Sequence, residues 1–320
     1  MREARRGRMP AKKLVLCFVA VACLLGAGAT SLWAAGPHFT DWSTPVNLGS
    51  TINSAVTESG PAVSKNGLSL YFYATGRPGG VGSDDIWVSQ RESVDDAWGT
   101  PVNLGPTVNS TSRDFVPTFS RDGHWMFFAS DRPGGFGGQD VWASWRSQIH
   151  DDFGWQTPVN LGAGVNSASN DNGVGYFENE GGAPQLFFGS DRPGGLGGTD
   201  LYMSELQADG SWGPAGPVPG LSSTGLDNRP NLRHDGLEIF FYSDRAGGVG
   251  SVDLWTATRE SVDTSWSTPV NIGTPVNTAG AELHPYLTSD GQTLFFGSTV
   301  AGGFGGVDLY MTTRSKSHGG

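Results

Sequence analysis

Five acidic residues recur at equivalent places along this chain of 320 residues. Four of them lie three residues before a proline, and the fifth lies three residues before a valine. Carboxylates that share a site bind cations, hold protons, or act as acid and base in the cleavage of a glycosidic bond. The five candidates are Glu58, Asp114, Asp171, Asp227 and Glu282.

The residues beside these acids differ from one copy to the next, although the acids themselves repeat. Catalytic sites surround like acids with unlike neighbours, because the neighbours set each pKa. We therefore predict a polar ligand site made of the acids and their neighbours, with no residue assigned as catalytic. The alternative is structural, since fivefold repetition is also expected if each acid only braces its own segment. The neighbours are Arg113, Asn172, Asn228, Arg229 and His284.

Two further series of residues show which elements carry the acids. The pattern Gly-Gly-x-Gly-x-x-Asp occurs in five copies, preceded by Arg-Pro in three of them, and its aspartates are 53 to 60 residues apart. A tryptophan recurs at a similar spacing of 54 to 57 residues. We predict that each aspartate binds the backbone of the preceding tight loop. Each tryptophan is predicted to pack on an outer strand, with stacking on sugars as the alternative. The series are Asp85, Asp140, Asp200, Asp253 and Asp308, and Trp42, Trp98, Trp155, Trp212 and Trp266.

Each repeat reads as four short strands. Runs rich in Val, Phe, Tyr and Trp are separated by Gly, Pro and Asn, as in strands and hairpins. Four-stranded units repeated around an axis are the blades of a propeller. We predict an all-β, five-bladed β-propeller with four antiparallel strands per blade, closed by residues 41–49 joining the last blade. The blades are predicted at about 57–105, 112–162, 169–221, 226–273 and 281–314.

In such a fold the acids lie on the innermost strands and surround one mouth of the central channel. Neighbouring carboxylates about 8 Å apart repel by about 2 kcal/mol per pair at an effective dielectric constant of about 20. The acids must therefore bind a cation, pair with cationic residues, take up protons, or accept backbone hydrogen bonds. Arg113, Arg229 and His284 are the local candidates for pairing. No metal or cofactor is predicted, and a cation at the carboxylate ring stays an open alternative.

The composition supports this fold and limits the partners. The chain has 49 glycines. Because glycine costs about 1 kcal/mol at a helix position, this content disfavours a helix-rich fold. Residues 1–35 resemble an export signal, with a basic start followed by the apolar run Leu14 to Ala29. Without them the formal charge changes from −11 to −16, which disfavours nucleic acids and anionic membranes as partners.

The signal also contains both cysteines, Cys17 and Cys23. Residues 36–320 then form one exported domain with no disulfide, no thiolate metal site and no transmembrane segment. We predict a soluble monomer in the periplasm or outside the cell. A lipoprotein anchored through Cys23 is the alternative.

The repeated strings resemble a known family. Trp-x-x-Pro-Val-Asn-Leu-Gly, the acid before proline, Asp-Gly, and Phe-Phe-x-Ser-Asp-Arg-Pro-Gly-Gly-Phe-Gly-Gly-x-Asp are similar to the TolB-type, WD-repeat-like propeller repeat of bacterial envelope proteins. The resemblance covers residues 41–313. It implies a propeller scaffold that binds proteins, envelope components or small ligands.

Two functions follow as expectations. The first is a binding or scaffold protein of the envelope that recognises a protein partner, a glycan or a small ligand at the channel mouth. The second is a glycoside hydrolase-like enzyme that uses two or three of the innermost carboxylates. The separation of the carboxylates distinguishes these two functions, since the catalytic carboxylates of retaining glycosidases lie about 5–5.5 Å apart and those of inverting glycosidases about 6.5–9.5 Å.

Overall fold

The computed structural model describes residues 38–317, and within them every regular element is a β-strand. The predicted signal segment and Cys23 lie outside the described residues. Ten of the fifteen strands of six or seven residues begin at an aspartate or a glutamate. The strands of the first half are β1 (His38–Phe39), β2 (Val46–Asn47), β3 (Thr57–Val63), β4 (Ser69–Thr75), β5 (Asp84–Gln90), β6 (Val102–Asn103), β7 (Asp114–Phe119), β8 (Trp125–Ser130), β9 (Asp140–Trp145), β10 (Val159–Asn160) and β11 (Asp171–Phe177).

The second half continues the same pattern through the last two and a half blades. Its strands are β12 (Gln185–Ser190), β13 (Asp200–Glu205), β14 (Gly216–Pro217), β15 (Asp227–Leu232), β16 (Glu238–Ser243), β17 (Asp253–Thr258), β18 (Val270–Asn271), β19 (Glu282–Leu287), β20 (Thr293–Ser298), β21 (Asp308–Thr313) and β22 (Lys316–Ser317).

These strands form five four-stranded antiparallel sheets, which confirms the predicted five-bladed propeller. The blades are β3 to β6, β7 to β10, β11 to β14, β15 to β18, and β19 to β21 with β2. The N-terminal strand β2 pairs with β21, with Val46 opposite Met311, so the chain closes the ring as expected. The short strands β1 and β22 pair beside this closure.

The core lies between neighbouring blades. Phe187 and Leu201 of the third blade, for example, pack against Ile239 and Phe241 of the fourth. Each of these side chains is almost completely buried. Blade-to-blade packing, more than the sheet of any single blade, therefore removes the apolar surface from water.

The repeated aspartates hold the glycine loops, which confirms their predicted structural role. Asp85 accepts the backbone N–H groups of Val81 and Gly82, at 2.6 and 3.0 Å. The same pair of bonds recurs at the other four aspartates. A side chain at Gly80 would collide with the carboxylate of Asp85, so this close approach requires glycine there.

The tryptophans pack on outer strands, as expected, and in four blades an arginine lies over the indole ring. The distance from the guanidinium carbon to the ring centre is 4.1 Å for Arg91 and Trp98, and 4.3 Å for Arg146 and Trp155. Each such contact adds about 1 kcal/mol. The other two pairs are Arg259 with Trp266 and Arg314 with Trp42.

A β-bulge interrupts every innermost strand two residues after its acid. The residue at this position has a positive φ in all five blades, and in two of them it is glycine. The other three are Val116, Arg229 and His284, with φ of 49°, 54° and 52°. Residues with Cβ adopt this conformation at a cost of about 1–2 kcal/mol, so neighbouring contacts must hold them in place.

Candidate functional site

The structure places each of the five predicted acids at the beginning of an innermost strand and buries all of them completely. Glu58, Asp114, Asp171, Asp227 and Glu282 each have a relative exposure of 0%. Each accepts two hydrogen bonds from a serine or threonine four residues earlier, one from the hydroxyl and one from the backbone N–H. The acids therefore offer no surface to a ligand.

Arginines of the glycine loops neutralise four of the acids. Arg192 lies 2.6 Å from Asp171, and Arg77 lies 3.4 Å from Glu58. Arg132 and Arg245 make the equivalent contacts with Asp114 and Asp227. The fifth blade has Thr299 and Val300 in place of the arginine, and there the hydroxyl of Ser298 donates to Glu282 at 3.0 Å. Cationic pairing and hydrogen bonds thus resolve the expected repulsion.

The partners are not the residues we predicted for pairing. Arg113 pairs with Asp84 instead, at 2.6 Å, and its guanidinium lies 4.5 Å from the ring centre of Phe115. Arg229 and His284 also contact none of the five acids within the described residues. The correct partners could have been found from the arginine that follows the second strand, because it is missing only in the fifth blade, where the ion pair is also missing. Burial raises the pKa of Glu58 and Glu282 despite their hydrogen bonds.

Two of the predicted neighbours of the acids link the blades at the channel mouth where the innermost strands begin. Asn172 donates to Gln139 at 2.6 Å, and Asn228 donates to Asn172 at 2.7 Å. This chain of amides connects the second, third and fourth blades. It is consistent with a structural role, and a ligand site at this mouth stays a prediction.

His284 lies between two tyrosines on the channel side of the same mouth. Its Nδ1 lies 2.8 Å from the hydroxyl oxygen of Ser59, and its ring makes edge contacts with Tyr73 and Tyr242. Burial, and to a smaller extent the charge of Arg229, lower the pKa of His284 to about 3. The imidazole is therefore neutral at ordinary pH.

Arg229 places a fully buried positive charge near the axis. It donates to the carbonyl of Pro117 at 2.8 Å, to that of Val116 at 3.3 Å, and to that of Val174. Its Nε has no hydrogen-bond partner, and no carboxylate in residues 38–317 lies within 4.0 Å of it. Burial lowers its pKa to about 10, so Arg229 keeps its charge at neutral pH.

The opposite mouth of the channel contains a cavity of about 700 Å³ that the sequence analysis did not anticipate. This volume is within the usual range for small-molecule sites, about 300–1,000 Å³. The cavity lies where the innermost strands end in their hairpin turns. Its rim is formed by the residues seven positions after each buried acid, and all five differ: Lys65, Arg121, Glu178, His234 and Ser289.

Aromatic and amide side chains form the wall of this cavity. Tyr176 stacks on Phe127 with ring centres 5.6 Å apart, and the hydroxyl of Tyr286 donates to the carbonyl of Val63 at 2.7 Å. Asn231 accepts the backbone N–H of Leu287 at 2.8 Å. These contacts hold the wall in place before any ligand binds.

Two carboxylates line the cavity and form no ion pair within the described residues. Oε2 of Glu178 accepts the hydroxyl of Tyr176 at 2.8 Å, and Oε1 accepts no hydrogen bond from residues 38–317. Asp290 accepts the hydroxyl of Thr288 at 2.6 Å and the N–H of Gln292 at 2.9 Å. Burial acts to raise the pKa of Asp290, but these hydrogen bonds outweigh it and hold the pKa below its ordinary value.

The residues of the turn-side cavity carried a signal in the sequence. The five rim residues occupy one repeat position and are all different, which is the asymmetry that we applied to the neighbours of the acids. We interpreted their segments only as turns.

In residues 38–317, no group of three or more His, Cys, Asp or Glu side chains is arranged to hold a metal ion. No helix in that range is long and apolar enough to cross a membrane.

The sequence matches no family profile and no curated protein. Among solved structures, the chain is similar to an alpha-L-arabinofuranosidase from Lactobacillus brevis, with a TM-score of 0.58 and 14% identity over 84% of this chain and 94% of that one. It is also similar to a GH43 endo-arabinanase from Bacillus licheniformis, with a TM-score of 0.56 and 14% identity over 82% and 94%. At this identity the likeness shows the five-bladed fold.

These comparisons correct two predictions. The expected relation to TolB-type, WD-repeat-like proteins is wrong, because the better-aligned structures are glycoside hydrolase propellers. TolB from Acinetobacter baumannii aligns with a TM-score of only 0.48, over 82% of this chain and 55% of that one at 13% identity. The binding or scaffold function of the envelope, which depended on that resemblance, is overturned with it. The repeated strings encode blade geometry, which unrelated functions share.

Proposed function

We propose that this chain is a glycoside hydrolase-like enzyme whose substrate enters the turn-side cavity. The observation that carries the proposal is the pair of carboxylates, Glu178 and Asp290, on the third and fifth blades around one cavity. All five carboxylates at the other mouth are buried and hydrogen-bonded. The sequence analysis assigned the glycosidase alternative to the innermost acids, and the present proposal assigns it to carboxylates at the hairpin turns.

The proposed roles follow from the surroundings of each carboxylate. Asp290 is ionised at neutral pH because its pKa is lowered, so it is the base or nucleophile. Glu178 is the proton donor to the leaving oxygen, and its Oε1 accepts no hydrogen bond within the described residues. The aromatic wall at Tyr176 and Tyr286 provides faces on which a sugar ring stacks.

The first test is hydrolysis of aryl glycosides and arabinan, since the structural neighbours are named as arabinofuranosidases and arabinanases. Glu178→Gln and Asp290→Asn are each expected to lower kcat/KM by at least about 100-fold, the usual range for general acid or base catalysis. The matched control is Asp122→Asn. Asp122 has the same place in the turn of the second blade, accepting from Ser120 and His124, and does not line the cavity.

Full activity in Asp290→Asn would contradict the assignment of Asp290 as the base. An equal loss of activity in Asp122→Asn would show that the loss in Asp290→Asn comes from damage to the turn. Absence of hydrolysis with every glycoside would overturn the proposed function.

We further propose that the enzyme acts outside the cytoplasm, because residues 1–35 resemble an export signal. Cell fractionation with an antibody against the domain tests this location.

A further inference from the structure

We infer that the turn-side cavity prefers a sugar that carries a carboxylate, such as a uronic acid residue. This inference rests on the proposed function, and it names the substrate class. Its basis is the distribution of charge around the cavity. The domain as a whole is strongly acidic, whereas one side of this cavity is basic.

The basic side is formed by two neighbouring blades. Lys65 lies at the end of the first innermost strand and Arg121 at the end of the second. The one ion pair of Arg121 in the described residues is with Glu180, at 3.7 Å, and the side chain of Glu180 is 90% exposed. Such an exposed contact contributes little, so the guanidinium is available to a ligand.

Two other arginines line the cavity, but neighbouring acids neutralise them. Arg146 forms a buried ion pair with Asp152 at 2.9 Å. Arg91 lies on Trp98 and close to Asp95 and Asp96. The available positive charge on the rim is therefore that of Lys65 and Arg121.

Arg229 adds a second, independent source of positive potential at the inner end of the cavity. It holds the carbonyl of Pro117, the residue before Thr118, and Thr118 lines the cavity. No carboxylate within the described residues compensates its charge. Because a buried charge is screened poorly, its field extends into the cavity, where it attracts an anion.

The two reacting carboxylates lie on other blades, and Arg121 adjoins one of them, because its guanidinium donates to the backbone carbonyl of Glu178 at 3.3 Å. Glu178 belongs to the third blade and Asp290 to the fifth, while the cationic side belongs to the first and second. A bound uronate is expected to place its carboxylate towards Lys65 and Arg121. The glycosidic oxygen then lies towards Glu178.

The experiment compares two probes that differ only in charge. One is a trimer of α-1,4-linked galacturonic acid, and the other is the same trimer with its carboxyl groups reduced to give a neutral galactose trimer. Binding is measured by calorimetry on the Glu178→Gln protein, in which the substrate is not turned over. We expect the acidic trimer to bind at least about 10-fold more tightly at low salt, with the difference falling as salt is added.

Lys65→Gln with Arg121→Gln, introduced into the same protein, is expected to remove the preference. The matched control changes the net charge equally at exposed positions away from the cavity, with Thr100→Asp and Thr268→Asp, and keeps the preference. Arg229→Met should reduce it as well. If Arg229→Met does not fold, as judged by its thermal melt, the result from the two rim substitutions decides.

The outcomes separate this inference from the function on which it rests. Equal binding of both trimers, or binding of neither, overturns the preference for an anionic sugar, and hydrolysis of neutral aryl glycosides would then still support the enzyme. Tight binding of the acidic trimer, with no hydrolysis of any tested glycoside by the wild-type protein, overturns the proposed function and supports the charge preference.

Discussion

At the scale of the residue, burial decides which carboxylates are available for chemistry. The innermost acids and the cavity acids belong to the same five strands and turns, but only the cavity acids reach solvent. Asp227 has no exposed surface and pairs with Arg245, whereas Asp290 is exposed and unpaired within residues 38–317. The exposed acids are therefore the ones with a proposed reaction.

Replacing a paired innermost acid is expected to destabilise the protein strongly. Asp227→Asn leaves Arg245 without its counter-charge, and breaking a buried pair in this way costs about 3 kcal/mol. Urea unfolding measures the change as a lower midpoint with the same slope. Asp244→Asn is the control, because Asp244 is exposed and its Oδ1 accepts the N–H of Leu226, a bond that asparagine can keep. Equal losses in both variants would contradict the ion-pair explanation.

The fifth blade gives a pH-dependent prediction. Burial raises the pKa of Glu282 above its ordinary value of 4.5, so the folded protein holds this proton more tightly than the unfolded chain does. The stability contributed by the protonated form is complete below pH 4.5 and is lost as the pH rises through the folded pKa. Wild type should therefore lose stability relative to Glu282→Gln between pH 4.5 and neutral pH. Urea unfolding at a series of pH values checks this, and a constant difference would refute it.

At the scale of the element, the bulge in each innermost strand determines where side chains point. Its position follows each acid by two residues in every blade, but glycine occupies it only in the first and third. Arg229 and His284 are directed to the axis by this bulge, at the cost of a positive φ. The sequence pattern did not predict the bulge, because an alternating strand looks the same with or without one extra residue.

Adding a side chain at a bulge glycine is expected to be costly. In Gly173→Ala the new Cβ would collide with Oδ1 of Asn228 and lie 3.0 Å from the N of Arg229, so a loss of about 3 kcal/mol is expected. Gly210→Ala is the control, since Gly210 also has a positive φ but no atom of residues 38–317 lies within 4 Å of its Cβ position. Its loss should be about 1–2 kcal/mol. Urea unfolding compares the two, and similar losses would show that packing at the bulge is unimportant.

At the scale of the whole molecule, the ring depends on a strand that arrives from the beginning of the chain. The N–H of Leu48 donates to the carbonyl of Leu309 at 3.0 Å, and the N–H of Ser43 donates to that of Thr313 at 2.8 Å. Trp42 and Leu48 pack against the last blade and its neighbours. Without this strand, β21 would present an open edge.

A chain that begins at residue 50 is therefore expected to be less stable than one that begins at residue 36. Loss of the packing of Trp42 and Leu48 removes about 2 kcal/mol each, which with the lost hydrogen bonds lowers the melting temperature by about 10 °C. The open edge should also promote association, seen by size-exclusion chromatography. An unchanged melting temperature and a monomeric elution would refute the role of closure.

The sequence by itself determined the blade number, the four-stranded blades and the closing strand, because each depends on local patterns that repeat: turn residues, alternating apolar runs and the Gly-Gly-x-Gly loop before Asp85 and its copies. It also placed the five acids on the innermost strands. Only the tertiary structure decided that Arg192 and its counterparts neutralise these acids, and that Lys65, Arg121 and Glu178 surround one cavity. Each ion pair joins the start of the first strand of a blade to the loop after its second strand, and the cavity joins residues from different blades. In both cases the distances depend on the packing of the sheets, which the repeated pattern does not encode.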